Sequence, residues 1–478
     1  MIHDVIVVGA GPGGAAAASF MARRGMDVLL LDKSDFPREK VCGDGLTPQA
    51  ITWADRLGCA EEVLAETKGC IKSCDLYING TRTLTGGFPD GTAYPDFAVL
   101  LDRRRFDHIV LKNAIRHGAR FQPGAVVREV GRAADGVRVG ARIAGRDEEF
   151  RSRLVVGADG VSSTVSRAIG NTLKAGVMAI SVRTYYAGVA VEGAPIKVYF
   201  DRSYFPGYGW LFVDDDGFAN VGLGYAVDPK FAPPGSLQRA FQRFIAGELA
   251  EPLAGARRCG AVSGGSSAFY RPGKIVDDRV MLVGDAANQA DPLNGGGIHK
   301  AMESAHLAAE AAEAAFASGD FSAHGLARYK ESWRRQIGGD WQTAELFLTI
   351  AKNPAMRDFC LLVLEQIGRL TVQDARFRDF CAGVFSGVIA QDLCLSPAAL
   401  YRAFPKDVST WRSLLAEQGG AGRGAVRLAR RTASSLGRAG GAAMRAPLAN
   451  LDWGMELARK AMQLAERRVA VFAEPRGY

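Results

Sequence analysis

The chain has 478 residues, 48% of them hydrophobic and 23% charged, which is too much for one ordinary core and sets an expectation of two or three domains. Its eight cysteines are scattered, with no CxxC pair and no His/Cys cluster at metal-ligand spacing, which argues against a disulfide scaffold or a zinc site and for reduced thiols. The formal net charge of +8 is concentrated in residues 421–478, where eleven Lys or Arg face four Asp or Glu; the nearly neutral remainder gives nucleic-acid binding no support.

Residues 4–32 read as a strand, a glycine-rich turn, an alanine-rich helix and a second strand ending at Asp32, one βαβ unit opening a doubly wound sheet. Residues 99–175 place a helix near 105–117 among short strands and end in the apolar run 154–156, extending that sheet. Residues 176–270, rich in β-branched and aromatic residues, with turns at 214–217 and 233–235, are expected to form an antiparallel sheet. An apolar strand at 280–284 and a helix over 298–316 return to the first domain. Beyond about 321 the apolar spacing is helical, with a glycine-rich joint at 419–424.

The expected fold is therefore α/β, α+β overall, with a discontinuous Rossmann-type domain over 1–75, 99–175 and 271–320. An antiparallel-sheet substrate domain covers 76–98 and 176–270. A helical region at 321–420 and a basic amphipathic tail at 421–478 follow. Apolar runs are far below the roughly 20 residues that span a bilayer, and no basic leader precedes a long apolar stretch, so a cytoplasmic protein is expected.

Gly9, Gly11, Pro12, Gly13 and Gly14 supply GxGxxG between a strand and a helix, the context in which this pattern binds a dinucleotide pyrophosphate at a helix N-terminus. Asp32 stands where a carboxylate accepts from an adenosine ribose. A second segment, Gly284-Asp285 followed by Pro292 and by Gly295, Gly296 and Gly297 before Ile298, has no place in a plain nicotinamide dehydrogenase. Asp285 suits ribityl hydroxyls, and the helix from Ile298 suits the flavin N1/C2 carbonyl edge. Together they point to FAD.

These segments, with Gly157-Ala-Asp159-Gly160 and Arg103-Arg-Arg-Phe106-Asp107, resemble the p-hydroxybenzoate hydroxylase-like flavoproteins. That resemblance implies that Arg103, Asp159 and Gly160 help organise the FAD site; the residues alone also allow a basic helix start and a serine-capped turn. Lys33, Arg38 and Val127 complete the expected cofactor set. Within the superfamily, four segments resemble geranylgeranyl reductases, which hydrogenate isoprenoid double bonds. They are Phe36-Pro37-Arg38 with Lys40-Val-Cys42-Gly43-Asp44-Gly45; Val182-Arg183-Thr-Tyr185-Tyr186; Pro206-Gly-Tyr208-Gly-Trp210-Leu-Phe212; and Pro292-Leu-Asn294-Gly-Gly-Gly-Ile298. The likeness covers about residues 3–320, and Val213 stands where the family has a proline.

Tyr208, Trp210 and Phe212 alternate and share one strand face, either lining an apolar cavity or serving as core aromatics. Cys42, Gly43 and Asp44 lie in the loop that resembles the family's active-site loop, with Cys42 either a proton donor or gate, or a structural thiol. The expected reaction is reduction of a prenyl C=C bond in a lipid, quinone or related apolar substrate, with NAD(P)H or reduced ferredoxin as donor.

A monooxygenase on an apolar or aromatic molecule is the alternative, a halogenase is disfavoured by the lack of GWxWxIP, and a non-enzymatic electron carrier is the rival of another class. In the tail, Arg427, Arg430, Arg431 and Arg438 oppose Val426, Ala429, Ala433 and Leu436. This pattern suits peripheral contact with the inner membrane face, or a solvated or partner-bound tail.

Overall fold

The computed structural model describes residues 2–133, 135–171, 178–190, 192–228, 231, 235–269, 273–395, 430, 433–434, 437 and 447–473. They form two compact units. The first comprises Met1–Cys70, Phe97–Ala179 and Ser263–Gly338; the second comprises Ile71–Asp96, Ile180–Val262 and the chain from Gly339 onward.

In the first unit, a parallel core runs Val280–Leu282, Arg146–Gly157, Ile2–Val8, Val28–Leu31 and Arg120–Gln122, with Val276–Asp277 antiparallel at one edge. Val5, Ile6 and Val7 are wholly buried, as are Leu30, Leu31, Val155 and Val156. Such continuous apolar runs belong to strands covered on both faces, and each buried side chain contributes about 1.5–3 kcal/mol. Because Ile2–Val8 lies between Val28–Leu31 on one side and Arg146–Gly157 on the other, the chain reverses its winding there. The crevice at the carboxyl ends beside this strand is the ligand position of such sheets.

Helix Pro12–Ala22 follows the first strand, with every residue from Pro12 to Met21 buried. Its alanines and glycines permit close packing on helix Ile298–Ser318: a Cβ at Gly13 would lie 3.2 Å from Ala301 Cβ.

In the second unit the sheet runs Arg257–Arg258, Met178–Ala187, Ala219–Val227, Gly207–Val213, Ile196–Phe200, Ser73–Ile78 and Thr81–Gly87. It is mainly antiparallel, but Ile196–Phe200 and Ser73–Ile78 pair in parallel. The hairpin Ser73–Gly87 precedes the long excursion through the first unit, so its neighbour is reached by a crossover instead of a tight turn.

One sheet face buries Tyr199, Leu211, Val221, Leu223 and Tyr225 against Phe241 and Phe244 of helix Leu237–Ala246. The other supplies Ile78, Leu76 and Phe200 to a cluster with Phe205, Leu361 and Leu364. Leu361 and Leu364 come from helix Arg357–Gln373.

The stretch 321–420, set apart in sequence as one helical region, is divided. Residues to Gly338 cluster with the first unit and those from Gly339 with the second. Helix Pro447–Ala473 is held in the second unit by buried ion pairs. Lys352 Nζ lies 2.9 Å from Asp228 and 3.2 Å from Glu456, while Lys460 Nζ lies 2.9 Å from Glu345 and 2.8 Å from Glu456. Lys460 also donates to Thr349 Oγ1, and Trp453 Nε1 donates to the Thr349 carbonyl at 2.6 Å. One of the tail's basic residues is thus engaged internally. Of the four arginines of the basic pattern, only Arg430 falls among the described residues.

Candidate functional site

The turn after the first strand is shaped by glycines that no other residue could replace. Gly9 has φ +98, and a Cβ there would fall 2.4 Å from the Ala158 carbonyl oxygen; one at Gly14 would fall 1.7 Å from the Gly9 oxygen. Helix Pro12–Ala22 begins at Gly11 with Pro12 at its first position and no side chain capping it. Helices at Pro48, Arg103 and Thr164, by contrast, are capped by Thr47, Asp102 and Ser163. The first amides of Pro12–Ala22 are therefore left for an anion, together with the positive end of the helix dipole.

Asp32 is buried at the end of the second strand, where its carboxylate accepts from Ala10 N at 2.7 Å and Ser34 N at 2.8 Å. These bonds fix the acid beside the glycine turn. Lys33 is exposed next to it.

Arg38, from the loop after the second strand, reaches the same turn: its Nη2 would be 3.3 Å from a Cβ on Gly11. Its Nη1 lies 3.2 Å from Asp107 Oδ2. Arg103 donates from Nε to Asp107 Oδ1 at 2.6 Å and from Nη2 to Oδ2 at 2.8 Å, a bidentate pair around a carboxylate with no exposure. Two guanidinium groups thus share one buried acid, and the resulting cationic excess sits beside the expected phosphate turn.

Cys42 is half-buried within hydrogen-bonding reach of Arg103. Burial pushes its thiol up from its usual value, while the Arg103 charge works the other way. Gly43 follows, and Asp44 is buried in the left-handed region at φ +63, a conformation that non-glycine residues seldom adopt. Its carbonyl accepts from Leu101 N at 3.1 Å, tying the loop to the segment that leads into helix Arg103–Arg116.

Gly284 and Asp285 lie in a short 3-10 turn after strand Val280–Leu282. The Asp285 carboxyl is raised by burial and lowered by the nearby charges of Lys40 and Arg103. It also lies 3.9 Å from where a Cβ on Gly297 would be, so the second glycine segment and the loop that carries Lys40 and Cys42 converge on it. Pro292, Gly295, Gly296 and Gly297 lead into helix Ile298–Ser318, whose N-terminus at Gly297 again has no side-chain cap. Two uncapped helix N-termini and a buried acid at the switch point fit the two ends of FAD.

Asp159 is turned inward. Its Oδ1 accepts from Ser163 Oγ, and its Oδ2 accepts from Thr164 N at 2.6 Å and Val165 N at 3.3 Å. The carboxylate thus caps helix Thr164–Ala168, while its backbone packs under Gly9; Gly160 takes φ +76 at the turn. Arg167 bonds locally to Ser162 O and Thr164 Oγ1. Val127 is drawn in through its carbonyl, which accepts from Thr164 Oγ1 at 3.4 Å.

His299 was not singled out in sequence. It is buried at the start of helix Ile298–Ser318, with Nδ1 3.4 Å from Thr47 Oγ1, and burial together with Lys300 holds its pKa well below the ordinary value. The signal was a histidine at the second position of a helix that follows a glycine run.

In the second unit, Tyr208, Trp210 and Phe212 share one strand face as an aromatic ladder. Centroids are 6.0 Å apart for Tyr208 and Trp210 and 6.4 Å for Trp210 and Phe212. Trp210 Nε1 donates to Asn220 Oδ1 at 2.8 Å. Its ring lies over Gly222 of the next strand, where a Cβ would come within 2.0 Å.

A model described as an FAD binding domain matches residues 3–216. A digeranylgeranylglycerophospholipid reductase of Methanopyrus kandleri is 31% identical over 354 residues, covering 72% of this chain and 85% of that protein. The menaquinone reductase of Mycolicibacterium smegmatis is 33% identical over 324 residues, 64% of this chain and 75% of that protein. Among solved structures, a geranylgeranyl bacteriochlorophyll reductase-like protein of Thermoplasma acidophilum matches with TM-score 0.66 at 22% identity, covering 86% of this chain and 98% of that one.

A flavin-dependent brominase matches with the same TM-score at 23% identity, covering 84% and 97%. The structural likenesses speak for a shared flavoprotein fold, and the sequence relatives narrow it. The chain is an FAD-dependent oxidoreductase and belongs to the geranylgeranyl reductase family.

Proposed function

We propose that this protein hydrogenates C=C bonds of a prenyl chain carried by a lipid or quinone. The observation that carries this reading is that one chain holds both an FAD crevice, in its first unit, and an aromatic ladder, in its second, and is 31% identical to a digeranylgeranylglycerophospholipid reductase and 33% identical to a menaquinone reductase. When bound, the flavin supplies a hydride equivalent to one alkene carbon. The other carbon takes a proton. The uncapped helix N-termini at Gly11 and Gly297, with Asp32, Arg38, Arg103 and Asp285, hold the cofactor.

Cys42 serves as the proton donor in this reading. Burial keeps its thiol protonated, and Arg103 stabilises the thiolate left after transfer. Tyr208, Trp210 and Phe212 orient the apolar chain and exclude water. A single GxGxxG in the sequence favours a transiently docked NAD(P)H or reduced ferredoxin as electron source.

Contact with a membrane surface would deliver such a substrate. Among the described residues no helix is long and apolar enough to cross a membrane. Helix Pro447–Ala473 does expose Leu451, Met455 and Met462, at 62%, 59% and 59%, on one side at helical spacing. The basic tail would add about 1 kcal/mol per cation near anionic headgroups. Liposome co-sedimentation that survives deletion of residues 421–478 would sink the membrane contact.

The reductase is tested by incubating the reduced protein anaerobically with geranylgeranyl lipids and prenylquinones and weighing the products. Gain of two hydrogens per bond, located in the prenyl chain and not in the quinone ring, supports it. An oxygenated product formed only with dioxygen would replace it with the monooxygenase.

A further inference from the structure

The aromatic ladder has a closed end within the second unit. From Phe212 and Trp210 it passes to Tyr208, and then to Phe200 on the neighbouring strand at 5.9 Å. Strand register explains this: Val198 pairs with Trp210 and Ile196 with Phe212, so the alternate residues of both strands face the same way. The next ring is Phe385, 6.4 Å from Phe200 and turned 75° to it. Phe385 lies near the end of helix Ala375–Ser386. Behind Phe200, the buried cluster of Ile78, Phe205 and Leu361, with Leu364 and Cys360, fills the space.

The helix that carries Phe385 is seated by small residues. A Cβ on Gly86 of the edge strand would come 2.7 Å from Ala382 Cβ, and one on Gly368 of the preceding helix would come 2.0 Å from Thr83 Cγ2. Both helices therefore lie against the hairpin Ser73–Gly87 as closely as backbones allow. Gly383 likewise leaves room for Ile389. Phe385 is consequently held on a rigid support, as a residue that measures length must be.

We infer that Phe385 is the length stop of the prenyl site, a specificity-determining residue that limits how many isoprene units lie along the ladder. The role rests on the prenyl reading proposed above. Four ring-to-ring steps of 6.4, 6.0, 5.9 and 6.4 Å lead from Phe212 to Phe385, and one isoprene unit is assigned to each. The favoured chain is then of geranylgeranyl length. Truncating Phe385 opens room for a further unit, and enlarging it removes room for the last.

The test uses the full-length, FAD-loaded protein, reduced anaerobically, with glycerol ether lipids bearing prenyl chains of three, four and five isoprene units as oxidants, whose C=C bonds are their only groups able to take the flavin's electrons. Wild type is expected to be reoxidised best by the four-unit chain. Phe385→Ala should raise the five-unit rate constant kcat/KM relative to the four-unit one by about tenfold, the scale of pocket-size discrimination, and Phe385→Trp should favour three units. Phe385→Leu, which keeps most of the buried volume, should shift the ratio in the same sense as alanine and guards against a folding failure.

Unchanged chain-length ratios in the alanine and leucine variants, with FAD content and circular dichroism as in wild type, would overturn the stop while leaving the reductase standing. Failure of every such lipid to reoxidise wild type, whatever its chain length, would instead overturn the prenyl assignment of the ladder, and the stop with it.

Discussion

Replacing Arg103 with Met removes the bidentate partner of a carboxylate that has no exposure. Asp107 would keep only Arg38, at 3.2 Å. Breaking a buried ion pair from one side costs about 3–5 kcal/mol, because the abandoned charge stays desolvated; with one cation remaining, about 3 kcal/mol is expected. The Arg103→Met, Asp107→Leu double variant leaves no buried acid and should regain most of that loss, since apolar replacement of a whole pair is neutral or stabilising. The single changes are thus strongly non-additive, with a coupling of about 2 kcal/mol or more.

Urea unfolding of the apoprotein and its variants reads this directly, and FAD titration separates stability from binding. The double variant should be nearly as stable as wild type yet bind FAD much more weakly, because Arg103 also lowers the Cys42 thiol and acts on Asp285. An Arg103→Met protein with the wild-type urea midpoint, or additive single and double changes, would refute the reasoning.

Gly222→Ala places a methyl within 2.0 Å of the Trp210 ring; overpacking should cost about 1–3 kcal/mol, with the Trp210–Asn220 bond disturbed, and a lowered melting temperature together with altered tryptophan fluorescence would register it. Asp32→Ala strips acceptors from Ala10 N and Ser34 N at about 1–3 kcal/mol for each amide left unsatisfied, so FAD affinity measured by flavin fluorescence should fall at least tenfold.

Lys352 and Lys460 hold the Glu456 carboxyl down to about 2. Since that folded value lies below the ordinary 4.5, the helix anchor is complete above about pH 4.5 and is lost as pH falls toward 2. Trp453 emission, compared with a Trp453→Phe control, should change in that window; a change confined to higher pH would contradict the ion-pair anchor.

The cofactor half of the molecule was legible because its signals are local. Glycines at fixed offsets, an acid at a strand end and a second glycine run before a helix each describe a turn that only a few residues can make. The ladder was legible for the same reason, since alternation along one strand fixes a common face. What escaped depends on partners distant in sequence. The parallel pairing of Ile196–Phe200 with Ser73–Ile78 bridges a stretch of chain that contains Phe97–Ala179 of the other unit. Asp159 entered the expected cofactor set through its motif, and the bonds its oxygens accept from Ser163, Thr164 and Val165 could be read only from the folded turn. The tail read as a basic helix, while Lys460 belongs to a buried network with Glu345 and Glu456. Phe385 carried no signal until its ring was seen beside Phe200.

The central claim is that reducing equivalents from the bound flavin pass to a carbon–carbon double bond and not to dioxygen. A single anaerobic turnover tests it: the FAD-loaded protein is reduced stoichiometrically, mixed with a geranylgeranyl lipid or prenylquinone, and followed by flavin absorbance with product mass at each time. Flavin reoxidation without dioxygen, one saturated bond formed per flavin, is the predicted result. Flavin that stays reduced with intact substrate until dioxygen is admitted, and then yields an oxygenated or unaltered product, would contradict it.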